Sequence, residues 1–70
     1  MPVSRDELRH SVYLLSGPRY GMDIDIHWHY GARCTSIDGS KDLSPRLNNN
    51  EMWAWLDGVR AALDRLEKKV

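Results

Sequence analysis

Hydrophobic and polar residues alternate along residues 20–30 of the chain. The even positions are apolar or aromatic and the odd positions from 23 onward are polar, namely Tyr20, Met22, Ile24, Ile26, Trp28 and Tyr30 against Asp23, Asp25, His27 and His29. A period of two is typical of a β-strand with one buried and one solvated face. The pattern predicts a strand across this segment whose Asp/His face remains open to solvent.

A helical pattern precedes the strand, over residues 3–17. Its apolar residues recur at spacings of four and three, at Leu8, Val12 and Leu15, which gives one apolar stripe. Ser4, followed three residues later by Glu7, predicts a capping box at the start of the helix. Gly17 predicts a left-handed residue at its end, where Pro18 prevents continuation.

A longer helical pattern runs from residue 49 to about residue 68. Spacings of four and three connect Met52, Leu56, Val59, Leu63, Leu66 and Val70. Asn48 with Glu51 predicts a second capping box, and the stripe predicts an amphipathic helix of about five turns that covers the sheet. The same spacing also suits a seam between two subunits. Gly58, in the middle of the helix, indicates either a close backbone approach or a tolerated defect.

The chain must turn after the strand, and the length of that turn decides which residues face inward. A two-residue turn at residues 31–32 pairs Ile26 with Ile37 and keeps Ile37 on the apolar side. It also places Cys34 and Ser36 on the polar side. A three-residue turn would reverse these faces and expose Ile37. We therefore predict the two-residue turn.

The predicted elements define an α+β fold in a single domain that spans residues 1–70. Asp38 and Gly39 form a second turn signal, and residues 41–43 are a candidate for a short third strand. The order is α-β-β-(β)-α, an antiparallel hairpin or three-stranded meander. Both helices are expected to pack on its apolar face.

Ten basic and ten acidic residues leave this chain of 70 residues with no net charge. That balance disfavours a nucleic-acid binder, which needs a basic surplus, and equally an acidic DNA mimic. The sequence shows no leader peptide and no long apolar run, and its single cysteine allows no internal disulfide. A cytoplasmic protein with no membrane partner is therefore expected. A core of this size supplies about 3–5 kcal/mol at most, so self-association as a homodimer is expected too.

The strand carries the residues that are candidates for chemistry. His27 and His29 form a His-x-His pair about 6.5–7 Å apart along the strand, with Cys34 on the same face in the favoured register. Zinc needs three or four ligands, and neither Cys-x-x-Cys nor His-Glu-x-x-His accompanies the pair. Cys34 activated by His29, or Asp23 and Asp25 as acid and base, would lack a pocket on an open sheet face. No metal, no cofactor and no catalytic residue is predicted.

The polar side of the hairpin is the predicted partner-binding surface. It comprises Asp23, Asp25, His27, His29 and Ser36. Carboxylates and imidazoles on one face can bind arginines or backbone amides through charge-assisted hydrogen bonds. Trp53 lies about 100° around the second helix from its apolar stripe. It is either buried by the loop at residues 44–50 or exposed as an aromatic anchor for the same partner.

The layout resembles that of a group of very small proteins. A strand, the Asp38-Gly39 turn and a terminal helix that begins Glu51-Met52-Trp53-Ala54-Trp55-Leu56 resemble, across most of the chain, the small phage-encoded inhibitors that include the anti-CRISPR proteins. The resemblance implies a stoichiometric blocker of a bacterial protein complex, and it carries over no catalytic residue. The near-zero charge departs from the acidic DNA-mimicking members of that group.

Three functions are compatible with these features. The preferred one is a non-enzymatic protein-binding module that acts as an inhibitor or adaptor. The second is a small metal- or thiol-dependent protein that uses His27, His29 and Cys34. The third is a dimeric DNA-binding regulator, which the charge balance and the lack of a short helix-turn-helix pair disfavour.

Overall fold

The computed structural model describes residues 2–68, and their side chains up to residue 67. The elements follow in the order α1 (Arg5–Ser16), β1 (Ile24–Trp28), β2 (Ala32–Ser36) and α2 (Asn49–Lys68). The two strands form one antiparallel hairpin. The predicted α+β class and the α-β-β-α order are confirmed.

Both helices begin where the capping signals predict. At α1, the Ser4 hydroxyl accepts a hydrogen bond from the Glu7 amide at 3.2 Å and donates one to the Glu7 carboxylate at 3.4 Å. At α2, the Asn48 side chain accepts from the Glu51 amide at 2.8 Å, and the Glu51 carboxylate accepts from the Asn48 amide at 3.0 Å. The capping box at Asn48 is therefore complete, whereas at Ser4 the Glu7 carboxylate bonds the hydroxyl rather than the predicted Ser4 amide, and only the side-chain cap forms.

The end of α1 differs from the prediction. Gly17 has φ −73° and ψ −178°, which is extended rather than left-handed backbone. The reason is Pro18, because a proline ring forces the preceding residue into an extended conformation. The left-handed glycine is Gly21 (φ 61°), whose amide donates to the Gly17 carbonyl at 2.7 Å. The chain therefore reverses four residues later than expected.

The register of the hairpin is the reverse of the predicted one. Trp28 pairs with Ala32 and Ile26 with Cys34, so the turn has three residues, 29–31. A two-residue type I′ turn at residues 31–32 would need positive φ at Ala32, which its side chain disfavours. The longer turn places positive φ at Tyr30 (52°) and Gly31 (120°) instead. The apolar side of the alternation thus ends at Trp28, and Tyr30 is 86% exposed.

The short third strand considered at residues 41–43 does not form. Residues 42–47 run beside β2, and their β-type pairing with it is limited to two isolated bridges, Thr35 with Asp42 and Ala32 with Leu47. Between these bridges the amides of Leu43 and Ser44 both donate to the Cys34 carbonyl, at 2.9 and 3.2 Å. Proline follows at position 45 and has no N–H for a ladder, so regular pairing cannot continue.

The core lies between the hairpin and the helices, which cover one face of it as predicted. Its buried residues are Leu8, Val12, Leu15, Ile24, Ile26, Ala32, Cys34, Met52 and Leu56. Cys34 is fully buried, with its sulfur 3.6 Å from that of Met52, whereas Ile37 is 59% exposed. The placement of these two residues is therefore opposite to the prediction.

The apolar stripe of α2 runs past the core. Leu63 is half-buried, Leu66 is 63% exposed, and Val70 lies outside the described residues. A side chain at Gly58 would meet nothing within 4 Å, so this glycine is a tolerated defect rather than a close approach. No helix in the described part of the chain is long and apolar enough to span a bilayer.

Candidate functional site

The outer side of β1 presents the Asp/His face, defined as Asp23, Asp25, His27 and His29. All four residues are exposed. Asp25 and His27 project from the strand, Asp23 immediately precedes it, and His29 begins the turn. A regular strand fixes the backbone of the two central residues, so the face is largely preorganised for binding.

Two residues predicted for the partner surface lie elsewhere. Ser36 pairs with Ile24 on the core-facing side, and its hydroxyl donates to the Asp38 carboxylate at 2.6 Å. Trp53 is 38% exposed and lines a cavity of only about 10 Å³ with Ser11 and Leu15 of α1. It belongs to the junction of the two helices. The loop at residues 44–50 does not line that cavity, and Trp53 is not joined to the Asp/His face.

Ser36 instead stabilises the second turn. Its hydroxyl and the amide and hydroxyl of Ser40 all donate to the Asp38 carboxylate. The Ser36 hydroxyl, followed by the Ser40 donors, lowers the pKa of Asp38 to about 2. These bonds, together with φ +75° at Gly39, account for the predicted Asp-Gly turn.

The observed register brings Arg33 to the Asp/His face, directly opposite His27. Arg46 joins it, because the Ala32–Leu47 bridge sets residue 46 next to residue 33 across the strand edge. Neither arginine was predicted as a site residue. A predicted three-residue turn would have placed Arg33 on the Asp/His face. The position of Arg46 could not be predicted in this way, because it depends on a contact between residues distant in sequence.

His27, His29, Arg33 and Arg46 together line a cleft of about 80 Å³, named here the Arg/His cleft. The volume exceeds the ~10–15 Å³ that a single water needs. A broader cleft of about 460 Å³ lies beside it, lined by both arginines and by Asp42 among others. The cleft could not be predicted from a sequence pattern, because its lining residues come from four separate segments: β1, the turn, β2 and the loop at residue 46.

The carboxylates nearest the Arg/His cleft make long contacts. An oxygen of Asp42 lies 3.6 Å from Nε of Arg33, and an oxygen of Asp25 lies 4.0 Å from Nε2 of His27. Both pairs are about half exposed, and such pairs contribute roughly 0–1 kcal/mol each. His27 is better held by Thr35, whose hydroxyl oxygen lies 3.0 Å from its Nε2. Because that hydroxyl donates to the Ser36 carbonyl, Nε2 of His27 is the donor.

The residues suggested for metal or thiol chemistry do not converge. Cys34 is buried on the core side of β2, whereas His27 projects from the opposite side of the sheet. Burial, with a smaller effect of Asp25, raises the pKa of the Cys34 thiol to about 11, so very little thiolate exists near neutral pH. Residues 2–68 contain no group of three His, Cys, Asp or Glu placed to hold a metal ion.

Comparisons with known proteins return no relative. No protein-family model, no curated protein sequence and no solved structure shows significant similarity to the chain. What the protein does must therefore be inferred from the geometry of its own residues.

Proposed function

We propose that the protein is a non-enzymatic protein-binding module, an inhibitor or adaptor of the anti-CRISPR type that acts stoichiometrically on a protein complex in the bacterial cytoplasm. The observation that carries this proposal is the exposed Asp/His face on a two-stranded hairpin, whose other side packs against the helices. Arg33 extends this face with a side chain of opposite charge to Asp25. Mixed charges on one surface favour a partner with a complementary pattern and reject others.

Preorganisation supports binding through this surface. Asp25 and His27 are fixed on β1, and the Asp25 carboxylate accepts a hydrogen bond from the Ile26 amide at 2.8 Å. Side chains held by a strand lose less conformational entropy on association than side chains on a free loop. The exposed carboxylates remain available to arginines or amides of a partner.

We expect Asp25→Lys combined with His27→Ala to weaken partner binding by about tenfold, or ~1.4 kcal/mol. The double substitution reverses one charge and removes one imidazole at the centre of the face. The partner is identified by affinity capture from a bacterial lysate with mass spectrometry, and affinity is then measured by calorimetry on the purified pair. Circular dichroism verifies that the variant is folded.

The matched control for this experiment is Asp6→Lys with His10→Ala. It makes the same chemical changes on exposed positions of α1, away from the Asp/His face. Its affinity should equal that of the unmodified protein. If a folded Asp25→Lys/His27→Ala variant kept full affinity for the partner, the Asp/His face would not be the interface, and another surface would bind the partner.

We also propose that the partner-free protein forms a homodimer through the outer part of α2. Leu63 is half-buried and Leu66 is 63% exposed, and both continue the apolar stripe beyond the core. Sedimentation at micromolar concentration should give twice the 8.1 kDa chain mass. Leu66→Glu should give a monomer. Ile37→Glu is the control and should leave the dimer intact, because Ile37 is a similarly exposed apolar residue that follows β2 rather than lying on α2. A single 8.1 kDa species at high concentration would refute the dimer.

A further inference from the structure

Backbone pairing brings two residues of like charge to the Arg/His cleft. Arg33 and Arg46 occupy adjacent positions on β2 and on the segment bridged to it. Like charges directly opposite each other across strands are destabilising. A different residue at position 46 would remove that repulsion without changing the bridge, because the bridge is made by the backbone of residue 47.

The bridge that places Arg46 beside β2 is held by two backbone hydrogen bonds. The Ala32 amide donates to the Leu47 carbonyl at 2.7 Å, and the Leu47 amide donates to the Ala32 carbonyl at 2.8 Å. Gly31 allows this approach, since a Cβ at that position would lie 2.8 Å from the Leu47 carbonyl oxygen and 3.2 Å from Cγ of Arg46. Arg33 and Arg46 thus both line the cleft because of this backbone pairing.

The charges around the cleft leave donors without acceptors. Asp42 contacts Nε of Arg33 at 3.6 Å, which leaves both terminal nitrogens of that guanidinium unpaired within residues 2–67. Arg46 makes no hydrogen bond and no ion pair with the described side chains. The imidazoles of His27 and His29 line a second side of the cleft, and the Asp25 carboxylate lies 4.0 Å from Nε2 of His27.

We propose that the Arg/His cleft binds a phosphate dianion, either free or as the terminal monoester of a small molecule. A planar carboxylate is served by the fork of one guanidinium, whereas two guanidinium and two imidazole groups around one cavity match a ligand with three or more acceptor oxygens. A phosphate monoester carries its second negative charge above about pH 6, so it presents a dianion to the two guanidinium groups near neutral pH. The cleft shares His27 and His29 with the Asp/His face, but phosphate binding can be measured without the proposed protein partner.

The test is a nuclear magnetic resonance titration of the isotope-labelled protein with inorganic phosphate at constant ionic strength. Saturable shifts should be confined to the imidazoles of His27 and His29 and to Nε–H of the two cleft arginines. Methyl phosphate should behave like phosphate, whereas dimethyl phosphate and acetate, which carry one charge, should bind at least about tenfold more weakly, by ~1.4 kcal/mol.

Arg46→Gln is expected to reduce phosphate affinity by about tenfold or more, ~1.4 kcal/mol. Arg65→Gln removes the same charge from an exposed position on α2 and should leave affinity unchanged. If Arg46→Gln is unfolded, Arg46→Lys serves instead, since it keeps the charge but loses the planar fork.

Three results would overturn the assignment of a phosphate site. The first is chemical shifts that do not saturate with phosphate, and the second is equal phosphate affinity in Arg46→Gln and Arg65→Gln. The third is acetate binding as tight as phosphate binding. None of them bears on partner capture through Asp25 and His27, so failure of the phosphate site and failure of the proposed function are distinguishable.

Discussion

Cys34→Asp should abolish the cooperative urea transition, whereas Ile37→Asp should shift the free energy of unfolding by no more than about 0.5 kcal/mol. Cys34 is fully buried against Met52, so an aspartate there would be a charge without a partner in an apolar core. Leaving a buried charge unpaired costs roughly 3–5 kcal/mol, which equals the whole stability expected of so small a core. Ile37 is 59% exposed and would only exchange one solvated side chain for another.

The pair of variants also tests the hairpin register. A two-residue turn would bury Ile37 and expose Cys34, and the effects of the two substitutions would then be exchanged. Urea unfolding followed by tryptophan fluorescence measures both variants against the unmodified protein. Equal damage from the two substitutions would contradict the observed assignment of inner and outer faces.

Gly31→Ala should lower the free energy of unfolding by about 2–4 kcal/mol. A strained backbone conformation costs roughly 1–3 kcal/mol, and each hydrogen bond displaced from the Ala32–Leu47 bridge adds about 1 kcal/mol. The new methyl group would lie 2.8 Å from the Leu47 carbonyl oxygen at φ +120°. Because Arg46 precedes Leu47, the same variant should also lose affinity for phosphate.

Alanine substitutions at two other glycines distinguish the two causes of the lower stability, the strained backbone conformation and the collision with Leu47. Gly39 has φ +75° but open space around it, so Gly39→Ala should show the conformational cost without the collision. Gly58 is helical with nothing within 4 Å, and Gly58→Ala should raise stability by about 0.5–1 kcal/mol. Urea midpoints measured with a common slope compare the three variants. A Gly31→Ala variant no less stable than Gly39→Ala would show that residues 46–47 do not pack on the turn.

The features predictable from the sequence are those set by neighbours along the chain. The cap at Ser4 and the capping box at Asn48 are local exchanges of hydrogen bonds, and both appear where their spacing places them. The alternation across residues 24–28 reports burial directly, and the covered side is the predicted one. Gly17 was misassigned because its neighbour Pro18 has a stronger local effect than the general preference for glycine at helix ends.

The candidate site was less predictable because it depends on contacts beyond the strand. His27 and His29 follow from the alternation alone. Arg33 depends on a turn in which one residue more or less exchanges the faces of β2. Arg46 depends on a bridge across fifteen positions, between residues 32 and 47, that no periodicity in its own loop announces.

The three-residue turn at 29–31 has an evolutionary consequence. Surface loops usually accept insertions and deletions readily. Here, loss of one residue would exchange the two faces of β2, so that the Cys34 thiol would replace Arg33 at the Arg/His cleft and the Arg33 guanidinium would point into the core. Drift at this turn can therefore alter its residues, Tyr30 included, far more freely than its length, and any homologue with a shorter turn should have exchanged the chemical character of positions 33 and 34.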